Sequence, residues 1–221
     1  MITRQHLQEA VHLPEFDRSE SLRRMAPPGA RLPAEGIVPR EAAVLVLIFP
    51  YENALHLVLT RRHPQLRGHS GQIAFPGGRR DPEDLTYEAT ALREACEEIG
   101  VCNEMPIEMI GRLSTTYIPP SNFSVVPVVA YTASAPQFVP NPGEVDEIFA
   151  VPLASLLNPA VKQVEDWDFK GERMRIPFYI LNGHKVWGAT AIMLSELEHR
   201  LRRVLSPRIL AALRESYKLK S

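Results

Sequence analysis

The sequence predicts an α/β domain, and three observations carry that prediction. Two apolar runs separated by a three-residue break read as a buried strand pair, one amphipathic helix follows a glycine-rich loop, and further strand candidates lead into C-terminal helices. At 221 residues the chain is long enough to bury a substantial core without covalent staples. It is 45% hydrophobic and 23% charged with a formal net charge of −1, so global charge points to neither nucleic acid nor an anionic membrane as partner.

Residues 3–25 read as one or two short, polar, amphipathic helices, and APPGARLPAEGIVPR is a Pro/Gly-rich connector that cannot continue them. EAAVLVLIFP ends in Pro50 and ALHLVLTRR follows across Tyr51-Glu52-Asn53, which predicts an antiparallel hairpin. After an Arg- and Gly-rich loop, a helix is expected from about Glu83 to Ile99, with Asp81 or Asp84 capping its start and Gly100 stopping it. Strands are expected at 107–115, 123–132 and 145–151, and VEDWDFKGERMRIPFYIL reads as a hairpin turning near Lys170-Gly171. GATAIMLSELEHRLRRVL has helical apolar spacing, and Ser206-Pro207 opens a last short helix. Cys96 and Cys102 are too few for a disulfide framework, so a reduced, cytoplasmic setting is expected. No apolar run approaches the roughly 20 residues that span a bilayer.

The stretch ALREACEEIGV concentrates chemistry. At about 100° per residue, Leu85, Ala89, Leu92, Cys96 and Ile99 form an apolar stripe, and Glu94, Glu97 and Glu98 project from the opposite side. Like charges at i, i+3 and i+4 repel by a few tenths of a kcal/mol, roughly, per pair, so a bound cation is one thing that would offset them. A hard divalent ion such as Mg²⁺ takes carboxylate oxygens, waters and substrate phosphates. Upstream, Arg61, Arg62, Arg67, Arg79 and Arg80 place five of the 25 Lys and Arg residues around Gly77 and Gly78, and guanidinium forks suit phosphate oxygens. Acids for a metal beside arginines for phosphate are the division of labour a diphosphate substrate asks for. Cys96 is expected as a small core residue, Trp187 as a core residue ahead of the last long helix, and the spacing of His63 and His69 suggests no zinc site.

Arg93-Glu94-Ala95-Cys96-Glu97-Glu98-Ile99-Gly100-Val101 resembles the second half of the Nudix box, Arg-Glu-U-x-Glu-Glu-x-Gly-U with U apolar. The first half departs from it: counting from Gly78, Asp84 stands where Glu is expected and Arg93 comes one residue late. The departure resembles the coenzyme A pyrophosphatase branch. Its upstream signature is matched by Val58-Leu59-Thr60-Arg61-Arg62-His63, Arg67, Gly71 and Phe75-Pro76-Gly77-Gly78, with His63 in place of Ser or Ala. The segment VWGATA, 186–191, is also similar to this branch.

The resemblance implies an α/β/α sandwich with a mixed β-sheet and a loop-helix-loop catalytic motif, with residues 1–35 as an N-terminal helical extension and 36–221 as the Nudix domain including its C-terminal helices. It implies Mg²⁺-dependent (or Mn²⁺-dependent) hydrolysis of the diphosphate of coenzyme A to 4′-phosphopantetheine and adenosine 3′,5′-bisphosphate. The alternatives are another nucleoside diphosphate derivative such as ADP-ribose or NADH, or a non-catalytic nucleotide-binding module. Glu94 and Glu98 are the expected principal metal ligands, with Glu97 and the Gly78 carbonyl completing the set and Arg93 orienting them. The general base is expected from NPGEVDEIFAVPL, at Glu144 or Glu147, with Glu147 favoured by its distance from Val151-Pro152-Leu153. Arg62, Arg67 and Arg79 are expected to hold substrate phosphates, and a homodimer is plausible for the family.

Overall fold

The computed structural model describes every residue except 15, 29–32, 34, 67, 104–105, 170 and 219–221. In chain order the elements are α1 (Arg4–Val11), α2 (Ser19–Met25), β1 (Arg40–Tyr51), β2 (Ala54–Arg62), β3 (Ile73–Ala74), β4 (Gly77–Arg79) and α3 (Tyr87–Ile99). They continue with β5 (Glu108–Arg112), β6 (Thr116–Ile118), β7 (Phe123–Tyr131), β8 (Val145–Pro152), β9 (Lys162–Phe169), β10 (Glu172–Leu181), β11 (His184–Trp187), α4 (Gly188–Val204) and α5 (Pro207–Lys218).

The main sheet runs β3-β2-β1-β7-β5, with β4 added to β1, β6 to β7 and β8 to β2. It is mixed, because β1 and β7 run parallel while β1 and β2 form an antiparallel hairpin. That hairpin turns on Glu52 and Asn53, both at positive φ, as a two-residue turn matched to strand twist requires. The near-continuous apolar run of β1 now has its reason. Leu45, Leu47 and Phe49 enter the core layer under α3, while Val46 and Ile48 enter the layer under α1 and α4, so both faces of the strand are buried. The result is the expected α/β/α sandwich. A three-stranded antiparallel sheet, β11-β10-β9, packs beside α4.

α1 and α2 lie on α4. Leu7, Ala10, Val11 and Met25 join the same buried cluster as Leu194, Leu197 and Leu201. Arg200, itself buried, donates from Nη1 to the carbonyls of Ala10 and Val11 at 3.3 and 3.2 Å and so satisfies the C-terminal end of α1. Under this contact Glu196 accepts from Arg200 Nε at 2.9 Å and from the Ser114 N–H at 3.0 Å. Among the described residues no helix is long and apolar enough to cross a membrane.

Three sequence expectations change here. α3 begins at Tyr87, four residues later than expected, with Thr86 as its cap accepting the Ala89 N–H at 3.1 Å. Asp84 is engaged elsewhere. The helix also docks through a different row: Ala91, Ala95 and Ile99 are buried, whereas Leu85 is 88% exposed. Alanines at that row let the helix approach the sheet closely, and Leu92 and Cys96 lie to the side of it. Finally, Cys96 and Cys102 are joined by a disulfide, with Cα atoms 5.1 Å apart, inside the ordinary range. The turn at Gly100, in the left-handed region that ends the helix as expected, folds Val101–Asn103 back beside the last turn and brings the two sulfurs together.

Candidate active site

The rotation of α3 decides where its acids point. At about 100° per residue, Glu98 falls within roughly 20° of the row Ala91-Ala95-Ile99 and Glu94 about 60° from it, while Glu97 sits about 120° away. Two glutamates are therefore drawn to the sheet and one is left outside. Glu98 is 3% exposed, and the Glu97 side chain is 54% exposed and meets Arg93 at 3.4 Å.

β4 supplies the opposite wall. A side chain at Gly77 would lie 2.4 Å from the Ala43 carbonyl oxygen, so that position must stay bare for β1 and β4 to pair, and one at Gly78 would lie 2.4 Å from Glu94 Oε2 and displace that carboxylate. Gly77 sits at φ +153° and donates its N–H to Glu98 Oε2 at 3.1 Å.

Arg93 is the hub. Its Nε and Nη2 grip both oxygens of Asp84 at 3.2 and 2.9 Å, Nη1 reaches Glu94 Oε1 at 3.0 Å, and Nη2 also donates to the Arg79 carbonyl at 3.0 Å. These bonds hold the Asp84 carboxyl down at about 2 and raise the Arg93 guanidinium further. Behind them, Arg80 donates to the Asp84 carbonyl at 3.2 Å and to Glu41 Oε2 at 2.9 Å, and the Tyr87 hydroxyl donates to Glu41. The sequence offers Asp84 as a helix cap and as a departure from the motif, and its spacing from Gly78 is the signal for its pairing with Arg93.

Burial raises Glu94 against the pull of Arg93, and burial raises Glu98 to about 7 against the Gly77 N–H and Arg62. The Arg62 guanidinium stands 3.6 Å from Glu98 Oε1, and its Nε is buried without a hydrogen-bond partner. Glu98 is thus a deeply desolvated carboxylate served by one backbone donor. Among the described residues no three His, Cys, Asp or Glu side chains converge as a ready cage. The oxygen-only donors Glu94, Glu98 and the adjacent bare backbone of Gly78 nevertheless suit a hard divalent ion, which would supply the charge that the buried carboxylates lack.

Of the two acids in the loop before and the start of β8, Glu144 is the one whose charge reaches Glu94 and Glu98 and raises both. Glu147 faces elsewhere, with Arg61 Nη2 at 3.2 Å and His184 Nε2 at 3.2 Å. A bulge is responsible: Arg61 pairs with Glu147 and Arg62 with Val145, leaving Asp146 over. Val145 packs in the layer under α3, and past the bulge Phe149 and Val151 pack in the opposite one. The Arg79 side chain is exposed, and Arg67 lies outside the described residues.

The NUDIX domain family model matches residues 39–170, more than half of the chain. A Photorhabdus laumondii protein described as the uncharacterised Nudix hydrolase NudL is 36% identical over 181 residues, covering 80% of this chain and 91% of that protein. The human mitochondrial coenzyme A diphosphatase NUDT8 is 38% identical over 159 residues, covering 70% of this chain and 66% of that protein. A MutT/nudix family protein from Enterococcus faecalis shares the fold at TM-score 0.53 and 16% identity, covering 92% of this chain and 76% of that one. With its motif helix, its glycine wall and its Arg93-centred acids in this arrangement, the chain belongs to the Nudix family and is a hydrolase of that family.

Proposed function

We propose that the protein hydrolyses the diphosphate of coenzyme A or a derivative of it, giving 4′-phosphopantetheine and adenosine 3′,5′-bisphosphate, with Mg²⁺ or Mn²⁺. The observation that carries this reading is the convergence of Arg62 and Gly77-Gly78, residues of the upstream signature, on Glu94 and Glu98. The similarity to the human coenzyme A diphosphatase supports the same substrate.

In this reading Glu94, Glu98 and the Gly78 carbonyl would hold the metal, with Glu97 as a further ligand or as a partner of those ligands. When bound, the ion would neutralise charge on the diphosphate oxygens and acidify water. Arg93 fixes Glu94 through its own grip on Asp84. Arg62, whose guanidinium stands beside Glu98, binds a phosphate oxygen, and Arg79 and Arg67 are assigned to the substrate phosphates, including the 3′-phosphate. We place the general base at Glu144 rather than Glu147, on the strength of its position: it takes a proton from the attacking water as the P–O–P bond breaks, and the phosphomonoester departs. A cytoplasmic location and a homodimer belong to the same proposal, to be checked by fractionation and sedimentation.

The test is incubation of purified protein with coenzyme A, with and without Mg²⁺, and identification of products by mass. Metal-dependent release of the two named products, lost by about 10²-fold or more in Glu98→Gln, is the expected result. If coenzyme A survives while ADP-ribose or NADH is cleaved, the substrate assignment falls and the dinucleotide reading replaces it.

A further inference from the structure

The connection from β7 to β8 makes its last turn at Asn141-Pro142-Gly143-Glu144, against the C-terminal end of α3. Asn141 ties that turn down through its main chain. Its N–H donates to the Glu98 carbonyl at 2.9 Å, and its own carbonyl accepts from the N–H groups of Glu144 and Val145 at 3.0 and 2.8 Å. From the other side the His63 N–H donates to the Glu144 carbonyl at 2.8 Å. The Asn141 side chain divides its two ends: Oδ1 accepts the Gly143 N–H at 3.1 Å, which closes the turn, and Nδ2 donates to Glu144 Oε1 at 3.2 Å.

Closing the turn needs only the acceptor end, which Asp or Ser also provides. Among the described residues the donor end acts on Glu144 alone. That carboxylate hangs from the turn pinned to the Glu98 carbonyl, and the like charge of Glu94 and Glu98 reaches it and would push a free side chain outward toward water. An Arg or Lys would restrain it too, but by neutralising it and weakening it as a base, as the bidentate Arg93 does to Asp84. A neutral amide restrains the carboxylate while adding no charge. We propose that Asn141 is a positioning residue for the hydrolysis: its amide holds Glu144 on the side of Glu94 and Glu98, and its main chain fixes the turn to the end of the helix that carries them. This rests on the reading of Glu144 as general base.

A double-mutant cycle tests it, using Asn141→Asp, which keeps the turn acceptor, and Asn141→Ala, each alone and combined with Glu144→Gln. In the wild-type background each change should lower kcat about tenfold and leave KM for coenzyme A within about twofold, the pattern of a misplaced reacting group. In the Glu144→Gln background the same changes should cost less than about twofold, because nothing remains to position. Metal-free thermal melts of the Asp variant should match wild type. An equal loss in both backgrounds, a rise in KM alone, or a lowered melt that accounts for the lost rate would overturn the positioning role and leave the base assignment standing. Unchanged kcat in Glu144→Gln by itself would overturn the base assignment, and this inference with it.

Discussion

Asp84 connects charge and stability in one side chain. It is 8% exposed and holds Arg93 bidentately, and those hydrogen bonds depress its carboxyl from 3.8 to about 2. A depressed folded value means that the stabilisation is complete above about pH 4 and is lost as pH falls toward about 2. A shift of this size corresponds to about 2 kcal/mol at neutral pH. Asp84→Asn should therefore be about 2 kcal/mol less stable at pH 7 and should show a shallower loss between pH 4 and 2, both readable from urea unfolding at a series of pH values. At this scale Glu94, Glu98, Arg93 and Gly78 were legible in the sequence, because the motif fixes their spacing on one helix and one turn. The preference for Glu147 had no such support. Which acid's charge reaches Glu94 and Glu98 depends on a single extra residue, Asp146, in the β2–β8 ladder, and a bulge leaves no mark in side-chain pattern.

The helices show what periodicity conveys and what it omits. α3 was legible as a helix stopped by Gly100, but its docking row was not: two alanines win over Leu85 and Leu92 because closeness to the glycine wall depends on small side chains. α4 carries an apolar pattern and also buries Glu196, Glu198 and Arg200, which pattern alone assigns to solvent. Glu198 is 0% exposed and accepts from Lys162 Nζ at 2.5 Å, Arg202 Nε at 2.8 Å and the Tyr179 hydroxyl at 3.1 Å. Its partners come from β9, β10 and α4 itself, so no local window of sequence contains them. Removing one member of a buried charge network strands the others, and Glu198→Ala should cost about 3 kcal/mol, measured as a shift in urea midpoint with an unchanged slope. A loss below about 1 kcal/mol would mean that Lys162 and Arg202 reach water without it.

For the molecule as a whole, α1 and α2 contribute to the core. Leu7, Val11 and Met25 fill the layer over α4, and the Ala10 and Val11 carbonyls satisfy Arg200. At about 1.5–3 kcal/mol for each large buried apolar side chain, deleting residues 1–35 removes an amount comparable with the net stability of a domain. The shortened protein should be recovered mainly as aggregate, and circular dichroism of any soluble fraction should show a broad, early melt; a wild-type melting temperature would contradict this. The α/β class was legible from the mix of strands and helices and the sandwich through the motif resemblance, whereas the placement of α1 and α2 on α4 was not, since their short polar helices gave no sign of a partner some 180 positions away.

The parallel pairing of β1 with β7 carries a consequence for how activity is acquired. Parallel neighbours need a long crossover, and here that crossover contains Arg62, Gly77, Gly78, Asp84, Arg93, Glu94 and Glu98. Glu144 follows only after β7 is in place. The candidate site is therefore threaded through a long-range closure, and turnover should return in refolding with the assembled sheet rather than with early helix or hairpin formation. A newly made chain stays inert toward cellular nucleotides until the whole sheet has assembled.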